Sequence, residues 1–172
     1  MTEKEFLNSL ANGKTDVLQK LLDIITGENI DYCVIGGLAV NAYVEPVVSL
    51  DLDIVVDTVK LEKLKKATTN DFEIKEFPHS INLYSPDSDL RFQIQTDDRY
   101  QDFIARAEQK EIIGYKMKVA LIKDVFLGKI WAYSDEQRRM SKRQKDLADI
   151  FRILESFPKL EPLLTDDIRQ KM

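Results

Sequence analysis

Ile35-Gly-Gly-Leu-Ala-Val-Asn-Ala-Tyr-Val-Glu-Pro-Val-Val-Ser-Leu-Asp-Leu-Asp-Ile-Val-Val-Asp57 is the stretch whose reading decides the fold. It follows Tyr32-Cys-Val-Ile35, a short apolar run that reads as a buried strand. Gly36-Gly37 breaks that strand, Leu38 to Tyr43 reads as a short helix, and Pro46 closes it. Leu50 to Val56 is a second strand. Successive side chains on a strand alternate between its faces, so Asp51 and Asp53 project together while Leu52 and Ile54 point into the core.

Two carboxylates on one face repel each other unless a cation lies between them. Mg²⁺ suits that place, because it prefers oxygen ligands and commonly holds substrate phosphates as well. The Gly-Gly turn is the complementary half. Glycine allows backbone N–H groups to approach a phosphate closely, and the start of a helix favours negative charge. Taken singly, a Gly-Gly pair is a tight turn and an Asp-x-Asp a solvated edge. Their combination, with the 13 residues 38–50 between Gly37 and Asp51, is more specific.

Outward from this centre, Thr2 and Glu5 fit a capping box opening a first short helix. Val17, Leu18, Leu21, Leu22 and Ile25 form the stripe of a second, with Gly27 at the expected C-terminal cap. Thr58 is placed to cap a helix bearing Leu61 and Leu64. Phe72 to Glu76, Ile81 to Tyr84 and Leu90 to Thr96 read as strands, the last two joined by Ser-Pro-Asp-Ser-Asp, which has strong turn chemistry. Asp98 to Ala107 reads as a helix, and Glu111 to Met117 as a strand or loop bearing Gly114. Helices follow over about 121–131 and 141–156, with a short one after Pro162. The predicted fold is α/β (α+β): a small mixed sheet flanked by helices. Residues 1–118 form the α/β core, and residues 119–172 a helical part packed on it as one compact unit.

The signature Gly-Gly, spacer, Asp-h-Asp-h, where h is apolar, resembles that of the nucleotidyltransferase superfamily of the DNA polymerase β type. More narrowly it resembles the small bacterial minimal nucleotidyltransferases and the AbiEii-type toxins. The resemblance is firm over 32–57 and looser beyond residue 96. It implies the nucleotidyltransferase fold and Mg²⁺-dependent transfer of a nucleoside monophosphate from an NTP to a hydroxyl acceptor: RNA, protein or small molecule. It implies that Gly36 and Gly37 contact the triphosphate and that Asp51 and Asp53 are the catalytic, metal-holding acids.

Two departures follow. The family's third carboxylate belongs on a neighbouring strand between apolar residues. In Leu90-Arg-Phe-Gln-Ile-Gln-Thr96 that position is Gln93, which cannot act as a carboxylate base; Asp97, next in phase, is the alternative acid. Where relatives carry Arg-x-Thr before the acid pair, this chain has Val47-Val48-Ser49-Leu50. These departures favour a second reading: a catalytically impaired binding module, the antitoxin or regulatory half of a two-gene system with a protein partner. An unrelated metal-dependent phosphohydrolase built on Asp51 and Asp53 ranks third.

The stretch 129–145 is the most basic, and Lys145-Asp-Leu-Ala-Asp-Ile150 follows it. Leu147, Ile150, Phe151 and Leu154 form a core stripe, with Lys142, Lys145, Asp149 and Arg152 opposite. One reading is a solvated helix with a weak Lys145–Asp149 pair. The other is by resemblance to a late motif of AbiEii-type proteins, in which the lysine and acids line the nucleotide cleft and Lys145 binds nucleotide. Trp131, Tyr133, Tyr115 and Tyr100 read as core aromatics.

Composition bounds the rest. The 172 residues are 44% hydrophobic and 32% charged with a net charge of −5, a globular chain without the excess positive charge of a general nucleic-acid binder. One cysteine, Cys33, and one histidine, His79, exclude an intrachain disulfide and a Cys/His zinc site. No apolar run approaches a membrane span, and the N-terminus lacks a secretory h-region, so the expected location is the cytoplasm.

Overall fold

The computed structural model describes residues 1–172. Helix α1 (Glu3–Leu10) opens with the predicted capping box: the Thr2 hydroxyl accepts from the Glu5 backbone N–H, and the Glu5 carboxylate from that of Thr2. Helix α2 (Val17–Gly27) starts at Asp16 and buries the predicted stripe. Gly27 is its last residue rather than a left-handed cap; the positive φ falls at Asn29 (54°). There follow β1 (Tyr32–Ile35), α3 (Gly36–Val40), β2 (Asp51–Val56), α4 (Leu61–Thr68), β3 (Glu73–Phe77), β4 (Ser80–Ser85) and β5 (Ser88–Gln95). The chain continues with α5 (Asp102–Arg106), β6 (Glu108–Ile112), β7 (Tyr115–Val119), α6 (Ile122–Ser134), α7 (Met140–Ser156) and α8 (Asp166–Arg169).

The strands form one mixed seven-stranded sheet in the order β3-β4-β5-β2-β1-β7-β6. Strand β2 lies at its centre, antiparallel to β1 and parallel to β5. Its inward residues Leu52 and Ile54 are almost wholly buried, as are Leu90, Phe92 and Ile94 of β5. Each such side chain stabilises the fold by about 1.5–3 kcal/mol. The period-2 pattern therefore holds in both strands, and it leaves Asp51, Asp53, Arg91, Gln93 and Gln95 on the other face. A single cluster of 44 buried residues runs from Leu7 to Ile168.

Four local expectations are corrected. The side chain of Asp57, not Thr58, caps the 3-10 turn Thr58–Lys60 that precedes α4. The 98–107 segment divides into a 3-10 turn, Asp98–Tyr100, and the short α5. Residues 108–119 form a β-hairpin. Its turn residues Ile113 and Gly114 both have positive φ (50° and 78°), the conformation whose twist matches a two-residue hairpin. In α7 the buried face includes Asp146 and Ile153, whereas Phe151 is only partly buried.

The aromatics are packing residues. Tyr100 meets Trp131 edge-on at 5.1 Å and Phe103 stacks on Trp131 at 5.6 Å, while Tyr115 and Tyr133 are buried. Cys33 is fully buried in β1, and burial pushes its thiol up to about 12. No helix is long and apolar enough to cross a membrane.

Candidate active site

Asp51 and Asp53 stand on one face of β2, which α7 reaches through Lys142. The two are in different states. Both oxygens of Asp51 are held by cations: Lys142 Nζ lies 2.8 Å from Oδ2 and Arg91 Nε 2.8 Å from Oδ1. Burial alone would raise the Asp51 carboxyl, but the Lys142 hydrogen bond and charge, with Arg91, outweigh it and hold it below the usual carboxylate value. Asp53 accepts no side-chain hydrogen bond and forms no ion pair. Burial raises its carboxyl; the nearby charge of Lys129 opposes that and the charge of Asp51 adds to it.

Gly36 explains how β1 and β2 come so close. Ile35 pairs with Asp53 in the register, and Gly36 then turns with φ +69° against the Asp53 carboxylate. A methyl group at Gly36 would run into that carboxylate, so the position needs glycine for both space and backbone. Gly37 is different: a Cβ there would first meet Asp149 Oδ2, at an ordinary 3.9 Å. Of the pair, only Gly36 is required by the space beside the acid strand.

Helix α7 supplies a buried charge network. Lys129 of α6 places Nζ 3.0 Å from Asp146 Oδ1 and 2.8 Å from Asp149 Oδ2. Arg138 closes on the other oxygen of Asp146 at 2.7 Å, and Arg152 on that of Asp149 at 2.7 Å. Burial would lower the Lys129 ammonium, but its two acids outweigh that and hold it charged. Arg152 also donates to the Glu45 carbonyl, tying α7 to the loop between α3 and β2. Asn41 fixes that loop, donating to the Val47 carbonyl at 2.7 Å and accepting from its N–H at 2.9 Å.

Two clefts meet at the acids. One, of about 460 Å³, includes Gly37, Asn41, Ser49, Lys145, Asp149 and Arg152 in its wall. The other, of about 710 Å³, opens over β4 and β5 and includes Asn82, Tyr84, Gln93, Asp135 and Arg139. Asp51, Asp53, Arg91, Arg138 and Lys142 belong to both. A smaller cavity of about 60 Å³ lies beneath Asp53, against Gly36, Gln93, Lys129 and Asp146.

Of the residues singled out from sequence, Asp51, Asp53, Gly36, Gly37, Gln93 and Lys145 all gather here. Lys145 forms no ion pair with Asp149, whose carboxylate is taken by Lys129 and Arg152; it stands exposed in the smaller cleft. Gln93 is the direct register partner of Asp53. Asp97 does not join the acids: it pairs with Arg99 at 2.9 Å and faces a separate pocket with His79. Arg91, Lys129, Arg138 and Lys142 were not foreseen as site residues, whereas Asp146 and Asp149 are the acids of the late motif. Lys129 carried a readable signal, since it falls on the buried stripe Phe126, Ile130, Tyr133 of α6, where a lysine requires a partner.

The donor set accommodates a magnesium ion in a limited way. No cluster of three or more acid, histidine or cysteine ligands exists, so the chain offers the Asp51 and Asp53 carboxylates and the neighbouring Gln93 amide. Mg²⁺ characteristically takes one or two carboxylates and completes its shell with water and phosphate oxygens. Asp53, a partly buried carboxylate without a cation of its own, is the atom set that fits it.

No protein-family profile matches the chain, and no curated protein matches it in sequence. Solved structures share its fold. The antibiotic-resistance factor ANT(2'')-Ia, in complex with adenylyl-2''-tobramycin, superposes with a TM-score of 0.63 at 17% identity, over 90% of this chain and 96% of that one. The lincosamide antibiotic adenylyltransferase LnuA, lincomycin-bound, gives a TM-score of 0.56 at 14% identity, over 83% and 99%. A nucleotidyltransferase-like protein from Paracoccidioides brasiliensis is 21% identical, with a TM-score of 0.50, over 90% and 78%.

Proposed function

We propose that this chain, whose fold is that of the nucleotidyltransferases, transfers a nucleoside monophosphate from an NTP to a hydroxyl acceptor with Mg²⁺. The observation that carries the reading is the unpaired Asp53 carboxylate beside Asp51 at the junction of two clefts. Asp51 and Asp53 would hold the ion. When bound, it supplies positive charge to the phosphates and fixes their orientation.

The chain's own groups supply the rest. Gly37 lets the backbone approach the triphosphate in the smaller cleft, with Gly36 behind it against Asp53, and the unpaired Lys145 ammonium there binds its oxygens. Lys142 and Arg91 neutralise Asp51, and either can turn to a phosphate when Asp51 changes partner. Catalysis would be mostly positioning and charge stabilisation, as is usual for phosphoryl transfer. Residues 1–118 would carry the acids and 119–172 would close over them through α7.

The test is incubation with α-labelled NTPs, Mg²⁺ and a cell extract, followed by identification of the labelled species. Asp51→Ala and Asp53→Ala should abolish both Mg²⁺-dependent nucleotide binding and labelling. Unchanged binding and labelling in both variants would sink the assignment.

Gln93 favours a second reading, since the residue beside Asp53 cannot take a proton from the acceptor hydroxyl. In that reading the chain binds nucleotide, labels no acceptor, and copurifies with a protein partner as the regulatory half of a pair.

A further inference from the structure

Resting on the nucleotidyl-transfer reading, we infer that Arg138 is a catalytic residue that grips the α-phosphate with the two terminal nitrogens of its guanidinium. A guanidinium carries five N–H donors, and the ion pair with Asp146 uses only the one on Nε, 2.7 Å from Oδ2. Nη1 and Nη2 form no hydrogen bond within the chain. The neighbouring cations are engaged more fully. Arg91 and Lys142 are taken by Asp51, and Lys129 lies buried between Asp146 and Asp149. Arg138 is held by a buried acid at one edge and open to a ligand at the other: its side chain is 32% exposed and that of Asp146 2%.

The chain fixes this arginine from two sides. It lies in the turn before α7, where its own N–H donates to the Asp135 carbonyl at 3.1 Å and the Gln137 N–H donates to the Asp135 carboxylate at 3.0 Å. Behind it runs the chain of paired charges Arg138, Asp146, Lys129, Asp149 and Arg152. Three cations face two acids in that chain, so one positive charge is left over for an anion. Both oxygens of Asp146 are bonded and shielded from water, so the guanidinium is oriented by the fold itself.

In-line displacement sets where the α-phosphorus sits. Pyrophosphate leaves on the Lys145 side, in the smaller cleft, and the acceptor hydroxyl enters from the larger one, so the α-phosphorus lies where the two join. Arg138 and Asp53 belong to the walls of both, and of the small cavity beneath Asp53. In the transfer, the acceptor oxygen forms the new bond to the α-phosphorus, the α–β bridging oxygen leaves with pyrophosphate, and the acceptor proton passes to solvent. Negative charge is spread over the phosphoryl oxygens midway, and a fixed, planar, permanently charged fork suits it.

The experiment uses the full chain with Mg²⁺. ATP, GTP, CTP and UTP are titrated first by calorimetry, and then the monophosphate of the tightest binder, which carries the α-phosphate, and pyrophosphate, which is the leaving group. Arg138→Lys keeps the charge and loses the fork. It should weaken the monophosphate about tenfold or more, leave pyrophosphate unchanged and lower labelling from the α-labelled NTP about 100-fold. In the unsubstituted chain the monophosphate should protect Arg138 from phenylglyoxal while Arg139 keeps reacting, read by peptide mass spectrometry. Arg138 modified as fast with the monophosphate as without it, or an Arg138→Lys variant that binds the monophosphate as the parent does, would overturn the inference. So would an equal loss of monophosphate and pyrophosphate in that variant. A parent that binds no NTP would instead defeat the transfer reading, and the two failures are read on separate titrations.

Discussion

Asp53 and Gln93 stand opposite each other across the parallel β2–β5 pair, so the register partner of the unpaired carboxylate is an amide rather than a second acid. That pairing sets the chemistry of the site more than the Gly-Gly turn does. An amide beside Asp53 spares the empty fold one more buried negative charge, and it withholds one metal ligand.

Gln93→Glu should reverse both effects. The added carboxylate should lower the stability of the empty protein, because it is placed beside a carboxyl already raised by burial. It should tighten Mg²⁺ binding about tenfold, read by calorimetry, and increase labelling in the α-labelled NTP assay. No tightening would show that the Gln93 side chain does not reach the ion.

Asp53→Asn should stabilise the empty fold by roughly 1 kcal/mol at neutral pH and abolish Mg²⁺-dependent nucleotide binding. The sign follows from the raised carboxyl. Above the ordinary value of 3.8 the folded state holds this proton more tightly than the unfolded state, so the parent loses stability as pH rises through that window. Parent and variant should therefore unfold at similar temperatures below pH 3.8 and diverge towards neutrality, as checked by thermal melts over a pH series.

Gly36→Ala should destabilise the protein by about 1–3 kcal/mol, since the backbone is left-handed there and the added methyl meets Asp53. Gly37→Ala should cost far less, because its new contact lies at 3.9 Å. Denaturant unfolding of the two variants measures the difference. Equal losses would place the strain elsewhere.

Lys129→Met should destabilise by roughly 3 kcal/mol by leaving Asp146 and Asp149 without their shared ammonium. Arg138 and Arg152 retain one oxygen of each acid, so the loss should stay partial. Urea titration at neutral pH checks it. A smaller loss in the Lys129→Met, Asp146→Asn double variant than in the single one would confirm coupling.

Cys33 should resist alkylation at pH 8 in the folded protein and react fully in urea, because its thiol is buried and pushed up to about 12. Mass spectrometry after iodoacetamide treatment reads both states.

Strands whose two faces differ were legible in the sequence. The alternation in β2 and β5 placed the acids and Gln93 correctly, because one face of each strand is buried and the other polar. The hairpin of β6 and β7 was less legible, since Glu108-Gln-Lys-Glu at the sheet edge has little apolar content to show a period. The charge network was hidden for another reason. Lys142, Asp149 and Arg152 read as a solvated helix face when only their own helix is considered. Their partners lie far along the chain, and the pairing of Lys142 with Asp51 spans 91 positions.

That separation has a consequence for synthesis. A chain emerging N-terminus first exposes the acids of β2 long before Lys129 of α6 and Lys142 of α7 have been made. A nascent sheet would carry Asp51 with Arg91 but without Lys142, and would lack the wall that α7 gives to either cleft. The contact of Lys142 with Asp51 can form only once α7 has been made and has docked.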